Sequence, residues 1–368
     1  MRALVTRAER EPMAGVDCPG PQQIYRRPRL TVEERSLGSV PAGNVRVEMG
    51  LVGICGTDLH AVQCDPVSGY ILGSTPLDIG PEGRVLGHEG IGRVREVGSG
   101  VAGIRQGDWV VFESLHTCHR CEACRKGRFN QCLHAVLVGM QRDGLFAGVV
   151  DLPVQLVHDV TDLVASDSGR RAAACIEPAA CSLVALSAAR LKPAEDVLIF
   201  GAGPIGVFAA MLSRLAFGAA SVQVVEPLRF RRDFARRWAD RVYDVEEFFA
   251  EPVWRRTDVL VEASGQLENV DRALLRLGPN GRVVLLGRSG KPLTLQRVDH
   301  VITNNLAITG SRGHLGGAVS DLLRLYRNAR LPLHEAVTGV VRGLDGLKGV
   351  LEDPAALPAE HCKVLAQL

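Results

Sequence analysis

The spacing of apolar and polar positions changes about halfway along the chain. Up to about residue 165, short β-type runs such as residues 45–49 and 109–112 are separated by glycine and proline, which is typical of a β-rich domain. From about Arg170 the pattern becomes helix, apolar strand, helix. This alternation predicts a parallel sheet with helices on both faces.

The predicted parallel strands are five short apolar runs, at residues 197–200, 222–225, 258–262, 283–287 and 306–310. A predicted helix at residues 319–328 and a short strand at residues 363–365 follow, and this tail is too small for a core of its own. We therefore predict an α/β protein. Its first domain contains residues 1–166 and 313–368, and its second contains residues 167–312.

Composition and charge narrow the class of protein. With 368 residues, 46% of them hydrophobic, the chain is long enough for roughly two cores. Its 43 basic and 41 acidic residues give a net charge of +2, so nucleic acid is not expected as the main partner. Arg2 and Arg7 interrupt any apolar signal segment, and glycine and proline break the apolar stretch 197–213. We expect a cytoplasmic protein that does not enter a membrane.

The densest cluster of metal-binding residue types is a run of four cysteines at Cys118, Cys121, Cys124 and Cys132. Four thiolates at this spacing on one loop can surround a zinc ion tetrahedrally and leave no position open to substrate. The polar flanking residues disfavour the alternative of four unpaired core cysteines. We predict a structural zinc lobe at about residues 114–134.

A second set of potential ligands is spread over three segments, at Cys55, at His88 and Glu89, and at Glu177. Each of these residues alone is more often structural than a ligand. Together, a thiolate, an imidazole and two carboxylates suit a catalytic zinc with at least one exchangeable position. Asp58 is a candidate to orient His88.

Residues 197–206 read Val-Leu-Ile-Phe-Gly-Ala-Gly-Pro-Ile-Gly, a glycine-rich turn between a predicted strand and a predicted helix. Glu226 ends the next predicted strand, 20 residues after the last of these glycines. This context indicates a dinucleotide site, in which the backbone approaches a pyrophosphate over the helix amino terminus. The candidate cofactor contacts in the turn are Gly201, Gly203, Pro204, Ile205 and Gly206.

Three features follow one another along the chain: the second set of potential zinc ligands, which we call the wide site, the four-cysteine lobe and the nucleotide fold. In this order they resemble the zinc-dependent medium-chain dehydrogenase family over nearly the whole chain. Further landmarks are residues 1–5, 107–111, 130–132 and 258–265. Glu177-Pro178, where other alcohol dehydrogenases carry a cysteine, resembles the sorbitol, polyol, threonine and glucose dehydrogenase branch. The resemblance implies a GroES-like catalytic domain and a Rossmann nucleotide domain.

The resemblance also implies roles for individual residues. The implied ligands of the catalytic zinc are Cys55, His88, Glu89 and, directly or through water, Glu177. Thr57 is implied to lie next to the substrate oxygen, with His60 further along a proton relay. A solvent-facing His60 without a role is the alternative.

Cofactor preference depends on Glu226. A carboxylate there accepts hydrogen bonds from the ribose hydroxyls and repels a 2′-phosphate, which favours NAD. The basic run Arg229, Arg231 and Arg232 could instead bind that phosphate, so NADP stays an alternative. The resemblance places Arg231 over the adenine and Lys363 near the pyrophosphate, and for Lys363 a surface position is the alternative.

Two segments are longer than in the family pattern, at residues 11–29 and 64–80. We expect them to reshape the substrate entrance, with Asp65 and Tyr70 as candidate substrate contacts, and surface loops without function are the alternative. In the glycine-rich segment 310–317, Arg312 or His314 is a candidate to reach the cofactor or the substrate. A helix-start loop without chemistry is the alternative there.

These features predict a zinc-dependent NAD(P) oxidoreductase acting on a secondary alcohol or ketone of a polyol, sugar, cyclitol or amino alcohol. Each chain would hold a catalytic and a structural zinc. A primary alcohol or aldehyde dehydrogenase of the same fold is one alternative, and a nucleotide-binding relative without turnover is another. By analogy with the family, we expect a homodimer or homotetramer.

Overall fold

The structure is a computed structural model that describes residues 1–252, 257–328, 331–354 and 356–368. By their contacts the described residues form two compact units. Unit 1 contains Met1–Glu177, Leu333–Pro354 and Lys363–Leu368, and unit 2 contains Pro178–Pro332 and Ala355–Cys362. Residues 167–177 thus group with unit 1, whereas residues 313–332 and 355–362, which the sequence assigned to the first domain, group with unit 2.

The first half of the chain is rich in strands. In chain order its elements are β1 (Arg2–Arg10), β2 (Tyr25–Glu34), β3 (Asn44–Gly53), α1 (Gly56–Val62), β4 (Arg84–Val85), β5 (Gly90–Val97), β6 (Trp109–Phe112), β7 (Leu115–His116), α2 (Glu122–Arg125), β8 (Val136–Leu137), β9 (Val149–Pro153), β10 (Val157–Asp159) and α3 (Asp167–Ala174).

Helices and strands then alternate. The elements up to Arg327 are α4 (Ile176–Ala188), β11 (Asp196–Phe200), α5 (Pro204–Leu215), β12 (Ser221–Val225), α6 (Arg229–Ala235), β13 (Arg241–Tyr243), α7 (Val245–Ala250), β14 (Thr257–Glu262), α8 (Glu268–Ala273), β15 (Leu277–Leu285), α9 (Val298–Thr303), β16 (Ala307–Gly310) and α10 (Ala318–Arg327). The last elements are β17 (Val337–Arg342), α11 (Gly343–Glu352), α12 (Ala356–Glu360) and β18 (Lys363–Gln367).

Unit 1 is organised around a sheet with the strand order β10-β6-β5-β3-β18-β17, and β9 also pairs with β3. Inward-facing valines of β3, such as Val45 and Val47, are fully buried, as period-2 alternation requires. β18 pairs antiparallel with β3, with Leu365 opposite Gly53. The predicted last strand is therefore present, and it brings the carboxyl-terminal residues next to the turn that carries Cys55.

Unit 2 is built on a parallel sheet with the strand order β13-β12-β11-β14-β15-β16. Its core includes Phe200, Leu260 and Val283. This sheet and the β-rich unit 1 confirm the predicted α/β class. Strand β13 was not predicted, because Arg241–Tyr243 is only three residues long and begins with an exposed arginine.

The chain crosses over between β11 and β14, where the strand order reverses, and ligands of parallel sheets bind at the carboxyl edge near such a point. Among the residues that the structure describes, no single helix is long and apolar enough to cross a membrane, although α3 and α4 pass the same test as a bent pair.

Candidate functional site

The four cysteines of the predicted lobe come together in unit 1, with all four Sγ atoms within 4.8 Å of one another. The Sγ atom of Cys132 lies 3.5 Å from that of Cys118 and 3.9 Å from that of Cys121. Tetrahedral zinc with Zn–S bonds of about 2.3 Å places its sulfur ligands about 3.8 Å apart. The donor set and its spacing therefore fit a closed zinc site.

Backbone N–H groups favour the thiolate form in this lobe. The amide of Cys121 donates to the Sγ atom of Cys118 at 3.4 Å, and the amide of Cys118 donates to that of Cys132 at 3.4 Å. Hydrogen bonds from the backbone at Cys124 and Leu133 lower the pKa of Cys121 to about 6. Backbone hydrogen bonds also lower the pKa of Cys118, whereas burial raises the pKa of Cys124 to about 12. Cys118 and Cys121 thus favour the deprotonated sulfur that zinc requires.

The second set of ligand candidates is carried by three segments of unit 1. Cys55 is the N-cap residue of α1, His88 and Glu89 lie in the turn before β5, and Glu177 lies in the first turn of α4. His88, Glu89 and Glu177 are all buried. This set is looser than the lobe. Among the described residues of unit 1, the ligand atoms of the four cysteines all lie within 4.8 Å of one another, whereas those of the second set do not.

Asp58 connects two of these segments. Its Oδ2 atom accepts a hydrogen bond from the amide of Cys55 at 3.1 Å, and its Oδ1 atom accepts one from the amide of Gly87 at 3.2 Å. The same Oδ1 atom lies 3.4 Å from Nδ1 of His88. Burial opposes protonation of His88, but the charges of Asp58 and Cys55 outweigh it and raise the pKa of His88 well above its usual value. The fully buried Asp58 carboxylate is therefore placed to orient the imidazole.

Glu89 shares its carboxylate with a lysine that the sequence does not link to it. Lys363, at the start of β18, is 1% exposed, and its Nζ atom donates to Oε1 of Glu89 and, at 2.9 Å, to the carbonyl of Ile54. Burial lowers the pKa of Lys363, but Glu89, with smaller effects of Cys55 and Cys175, outweighs the burial and raises this pKa to about 12. The surface-lysine alternative is thereby excluded, and a role of Lys363 near the pyrophosphate stays a prediction.

The remaining oxygen of Glu89 supports a metal at this place. Its Oε2 atom is buried and, among the described residues, has no hydrogen-bond partner. Burial, together with the nearby charge of Glu177, raises the pKa of Glu89 despite Lys363. A buried acceptor without a donor is rare unless a ligand or ion satisfies it, so the residues present fit a cation.

Three further side chains complete this part of unit 1. Ser114, just after β6, donates through Oγ to Oε1 of Glu177 at 2.8 Å, and no sequence motif pointed to it. Thr57 lies in the first turn of α1 and His60 in its last turn, and both are half-buried. Burial lowers the pKa of His60, so its imidazole is neutral at neutral pH.

In unit 2 the glycine-rich turn has the conformation expected for dinucleotide binding. Gly203 is the N-cap residue of α5 and Pro204 is its first residue, so Ile205 and its neighbours begin the helix. Gly201 has φ +93°, and a Cβ atom on Gly206 would lie 1.8 Å from the carbonyl oxygen of Gly201. Only glycine fits at these two positions, which leaves the helix amino terminus open to a phosphate.

Glu226 is joined to this turn. Its Oε2 atom accepts from the amide of Ala202 at 2.7 Å, and its Oε1 atom accepts from the amide of Leu228 at 3.0 Å. The carboxylate is buried at the end of β12. One residue thus fixes the glycine turn and presents negative charge where a ribose is predicted to bind.

The basic run beside Glu226 is largely committed to local contacts. Arg232 donates to the carbonyls of Glu226 and Pro227 at 3.0 and 2.5 Å, and Arg229 lies 3.8 Å from Asp233. Arg231 differs, because its Nη1 atom lies 3.7 Å from the position that a Cβ atom on Gly203 would take. Its guanidinium is therefore aimed at the glycine turn.

The two long segments of unit 1 pack against each other. The amide of Ile79 donates to the hydroxyl of Tyr25 at 3.1 Å, and the Arg26 guanidinium lies 5.0 Å from the centre of the Tyr70 ring. Asp65 accepts hydrogen bonds from the amides of two residues that follow it, at 2.7 and 3.2 Å. Tyr70 and Asp65 thus stabilise the loop itself, and substrate contact by either stays a prediction.

The fold has a parallel sheet with a glycine turn and an acidic residue after its second strand, and the chain also holds candidate cysteine, histidine and carboxylate ligands for a metal. Together these features are typical of a zinc-type nucleotide-dependent oxidoreductase. Comparison with known families agrees. The family "Alcohol dehydrogenase GroES-like domain" matches residues 41–162, and "Zinc-binding dehydrogenase" matches residues 204–328.

Individual relatives give the same result. The chain is 31% identical over 318 residues to L-threonine 3-dehydrogenase of Pyrococcus horikoshii, covering 84% of this chain and 87% of the relative. It is 27% identical over 326 residues to D-xylulose reductase A of Aspergillus oryzae, covering 85% and 87%. The solved structure of galactitol-1-phosphate dehydrogenase from Escherichia coli matches its fold with a TM-score of 0.80 at 24% identity, covering 100% of both chains. The protein belongs to the zinc-binding alcohol dehydrogenase family.

Proposed function

We propose that this oxidoreductase transfers hydride between a nicotinamide cofactor and a secondary alcohol or its ketone on a polyol, sugar, cyclitol or amino alcohol. The observation that carries the proposal is the Asp58 carboxylate, which bonds to both segments that bear Cys55 and His88. A structural histidine would not need a thiol and a buried carboxylate held at the same place. The relatives named for threonine oxidation and xylulose reduction support the substrate class.

Each residue has a stated task in this proposal. Cys55, His88 and an oxygen of Glu89 or Glu177 hold the catalytic zinc, and the four cysteines of the lobe hold the structural zinc. When bound, zinc supplies Lewis acidity to the alcohol oxygen and the nicotinamide ring accepts the hydride. Thr57 receives the hydroxyl proton at Oγ1 and passes it towards His60, whose neutral imidazole is able to accept it.

NAD is proposed as the preferred cofactor. The buried Glu226 carboxylate would repel a 2′-phosphate. Arg229 lies 3.8 Å from Asp233, and Arg232 donates to the carbonyls of Glu226 and Pro227. Arg231 faces Gly203 in support of a role over the adenine or beside the pyrophosphate. A ratio of kcat/KM for NAD over NADP above about 10 is expected, and a ratio below 1 would contradict this preference.

The proposal is tested by metal analysis of matched cysteine variants combined with a panel of alcohols. The natural protein should contain two zinc ions per chain, and Cys55→Ser and Cys118→Ser should each lose one. Only the first substitution removes a ligand of the exchangeable site. Absorbance of the reduced nicotinamide should rise with secondary alcohols. A preference for primary alcohols, or NADH binding without turnover of any alcohol, would support the two alternatives instead.

Assembly and location are proposed by analogy with the family. We propose a homodimer or homotetramer in the cytoplasm. Light scattering of the purified protein should give a mass of two or four chains of 39.6 kDa. A monomeric mass at micromolar concentration would contradict the proposed assembly.

A further inference from the structure

We propose that a cavity in unit 1 binds a small molecule that combines a flat apolar ring with a single carboxylate group. The cavity has a volume of about 560 Å³, and small-molecule sites usually have volumes of about 300–1,000 Å³. All of its described lining residues belong to unit 1. None of them is a candidate zinc ligand, a proton-relay residue or a cofactor contact, so the inference goes beyond the proposed function.

One wall of the cavity is part of the sheet of unit 1. Leu51 of β3 pairs with Ile91 of β5 on one side and with Gln367 of β18 on the other, so the three residues form one row across the sheet. Leu51 and Ile91 are buried, whereas Gln367 is exposed. The row is therefore apolar along most of its length, which suits the apolar part of a ligand.

The side chain of Trp109, at the start of β6, forms another wall. The register of β3 and β5 shifts between Met49 and Leu51, which leaves Gly50 as the extra residue of a β-bulge. A Cβ atom on Gly50 would lie 3.0 Å from Cζ3 of Trp109, so the indole ring lies directly on this glycine. Trp109 is only half-buried, and part of its ring is thus accessible to a flat ring of a ligand.

Four charged side chains line the cavity among the described residues, and three of them have partners of opposite charge. In α3, the Nε atom of Arg171 lies 2.7 Å from Oδ2 of Asp167. On β3, the Glu48 carboxylate is paired with Arg95. These three side chains therefore add no unbalanced charge to the cavity.

The fourth charged side chain is the half-buried Arg170 of α3. Its Nη1 atom donates to the carbonyl of Val164 at 3.2 Å, and in the part of the chain that the structure describes no carboxylate forms an ion pair with it. A guanidinium has five N–H donors, so most of them are left for a ligand. Their fork matches the two oxygens of a carboxylate. A phosphoryl group would bring a charge of about −1.5 to −2, more than one arginine balances.

The probes are 2-naphthoate and its neutral analogue 2-naphthamide, titrated by calorimetry into the zinc-loaded protein saturated with NADH, so that the cofactor site is already filled. The naphthoate should bind at least about 10-fold more tightly than the amide. Arg170→Gln should weaken naphthoate binding at least about 10-fold and leave naphthamide binding unchanged. Arg105→Gln removes an exposed arginine of unit 1 that does not line the cavity, and it should change neither affinity.

A second variant fills the cavity. Gly148 lines it, and a Cβ atom on Gly148 would have a single neighbour within 4 Å, the carbonyl oxygen of Arg2 at 3.9 Å. Gly148→Leu should therefore be accommodated by the fold and should abolish binding of both probes. Gly38→Leu is the matched control, because Gly38 is exposed and its Cβ position is equally open, and it should leave both affinities unchanged.

Unchanged binding in Gly148→Leu would place the probes elsewhere, for example on the zinc of the wide site, and would overturn the inference. An equal loss of both probes in Arg170→Gln would overturn the recognition of the acid. No binding of 2-naphthoate to the natural protein at millimolar concentration would overturn it as well. Neither probe is turned over, so a protein that bound neither zinc nor NADH would refute the proposed function and leave this test intact.

Discussion

The two metal-binding regions of unit 1 are built in opposite ways. In the lobe, four cysteines within 15 consecutive residues gather their sulfur atoms within 4.8 Å, with backbone amides as the supporting donors. At the wide site, Cys55, His88, Glu89 and Glu177 come from distant segments, and buried charged side chains support them. A local site is specified by its own loop, whereas a scattered site depends on the packing of the whole unit.

The two regions also differ in which protein groups compete with the metal for its ligands. Among the described residues, no charged side chain forms a hydrogen bond to a thiol of the lobe. At the wide site, the Nζ atom of Lys363 bonds to Glu89 and Ser114 bonds to Glu177. We therefore expect the lobe to hold zinc more tightly than the wide site. At the wide site, one coordination position of the zinc must stay exchangeable so that substrate can bind.

The largest expected effect is a separation of the two metals by a chelator. Structural zinc sites are worth about 10 kcal/mol or more of coupled binding and local folding, while an open site lacks one protein ligand. Zinc release to excess chelator, followed with a colorimetric indicator, should therefore have a fast and a slow phase. Cys55→Ser should retain only the slow phase. A Cys55→Ser protein that released all its zinc in the fast phase would reverse the comparison.

The next effect concerns the buried ion pair of the wide site. Lys363→Met leaves the Glu89 carboxylate buried without its cation, which costs about 3–5 kcal/mol of unfolding free energy. The double variant Lys363→Met with Glu89→Gln should recover a large part of that loss, because no isolated charge remains. Urea unfolding of the zinc-free protein measures both. Equal unfolding free energies of the single and double variants would show that Lys363 does not compensate the buried charge of Glu89.

The same contrast explains what the sequence predicted. Short spacings specify the lobe, the glycine turn and Glu226, and continuous apolar runs specify the parallel strands. All of these features could therefore be predicted from the sequence alone. Lys363 and Glu89 are 274 residues apart, and nothing in the sequence around either residue names the other. Ser114 carries no motif at all. The roles of these residues depend on which strands become neighbours, and that is fixed by tertiary packing.

A smaller effect is expected from Asp58, which supports the wide site alone. Asp58→Asn keeps the shape of the side chain but removes the charge that faces Nδ1 of His88. Loss of such a supporting carboxylate lowers metal affinity by about 10–100-fold. Competition with a chelator should show this shift for one zinc only. An equal shift of both zinc ions would mean that Asp58 acts on the stability of unit 1 as a whole.

The smallest effect is expected from His60, at the end of α1. Its pKa is lowered by burial, so the unfolded chain takes up a proton at higher pH than the folded chain does. The contribution of neutral His60 is fully present above pH 6.5, the usual value, and is lost as pH falls towards the lowered pKa. Since one proton is involved, the slope of unfolding free energy against pH from this residue stays below about 1.4 kcal/mol per pH unit. His60→Gln should make that slope shallower below pH 6.5, as measured by urea unfolding at several pH values. An unchanged slope would show that folding does not lower the pKa of His60.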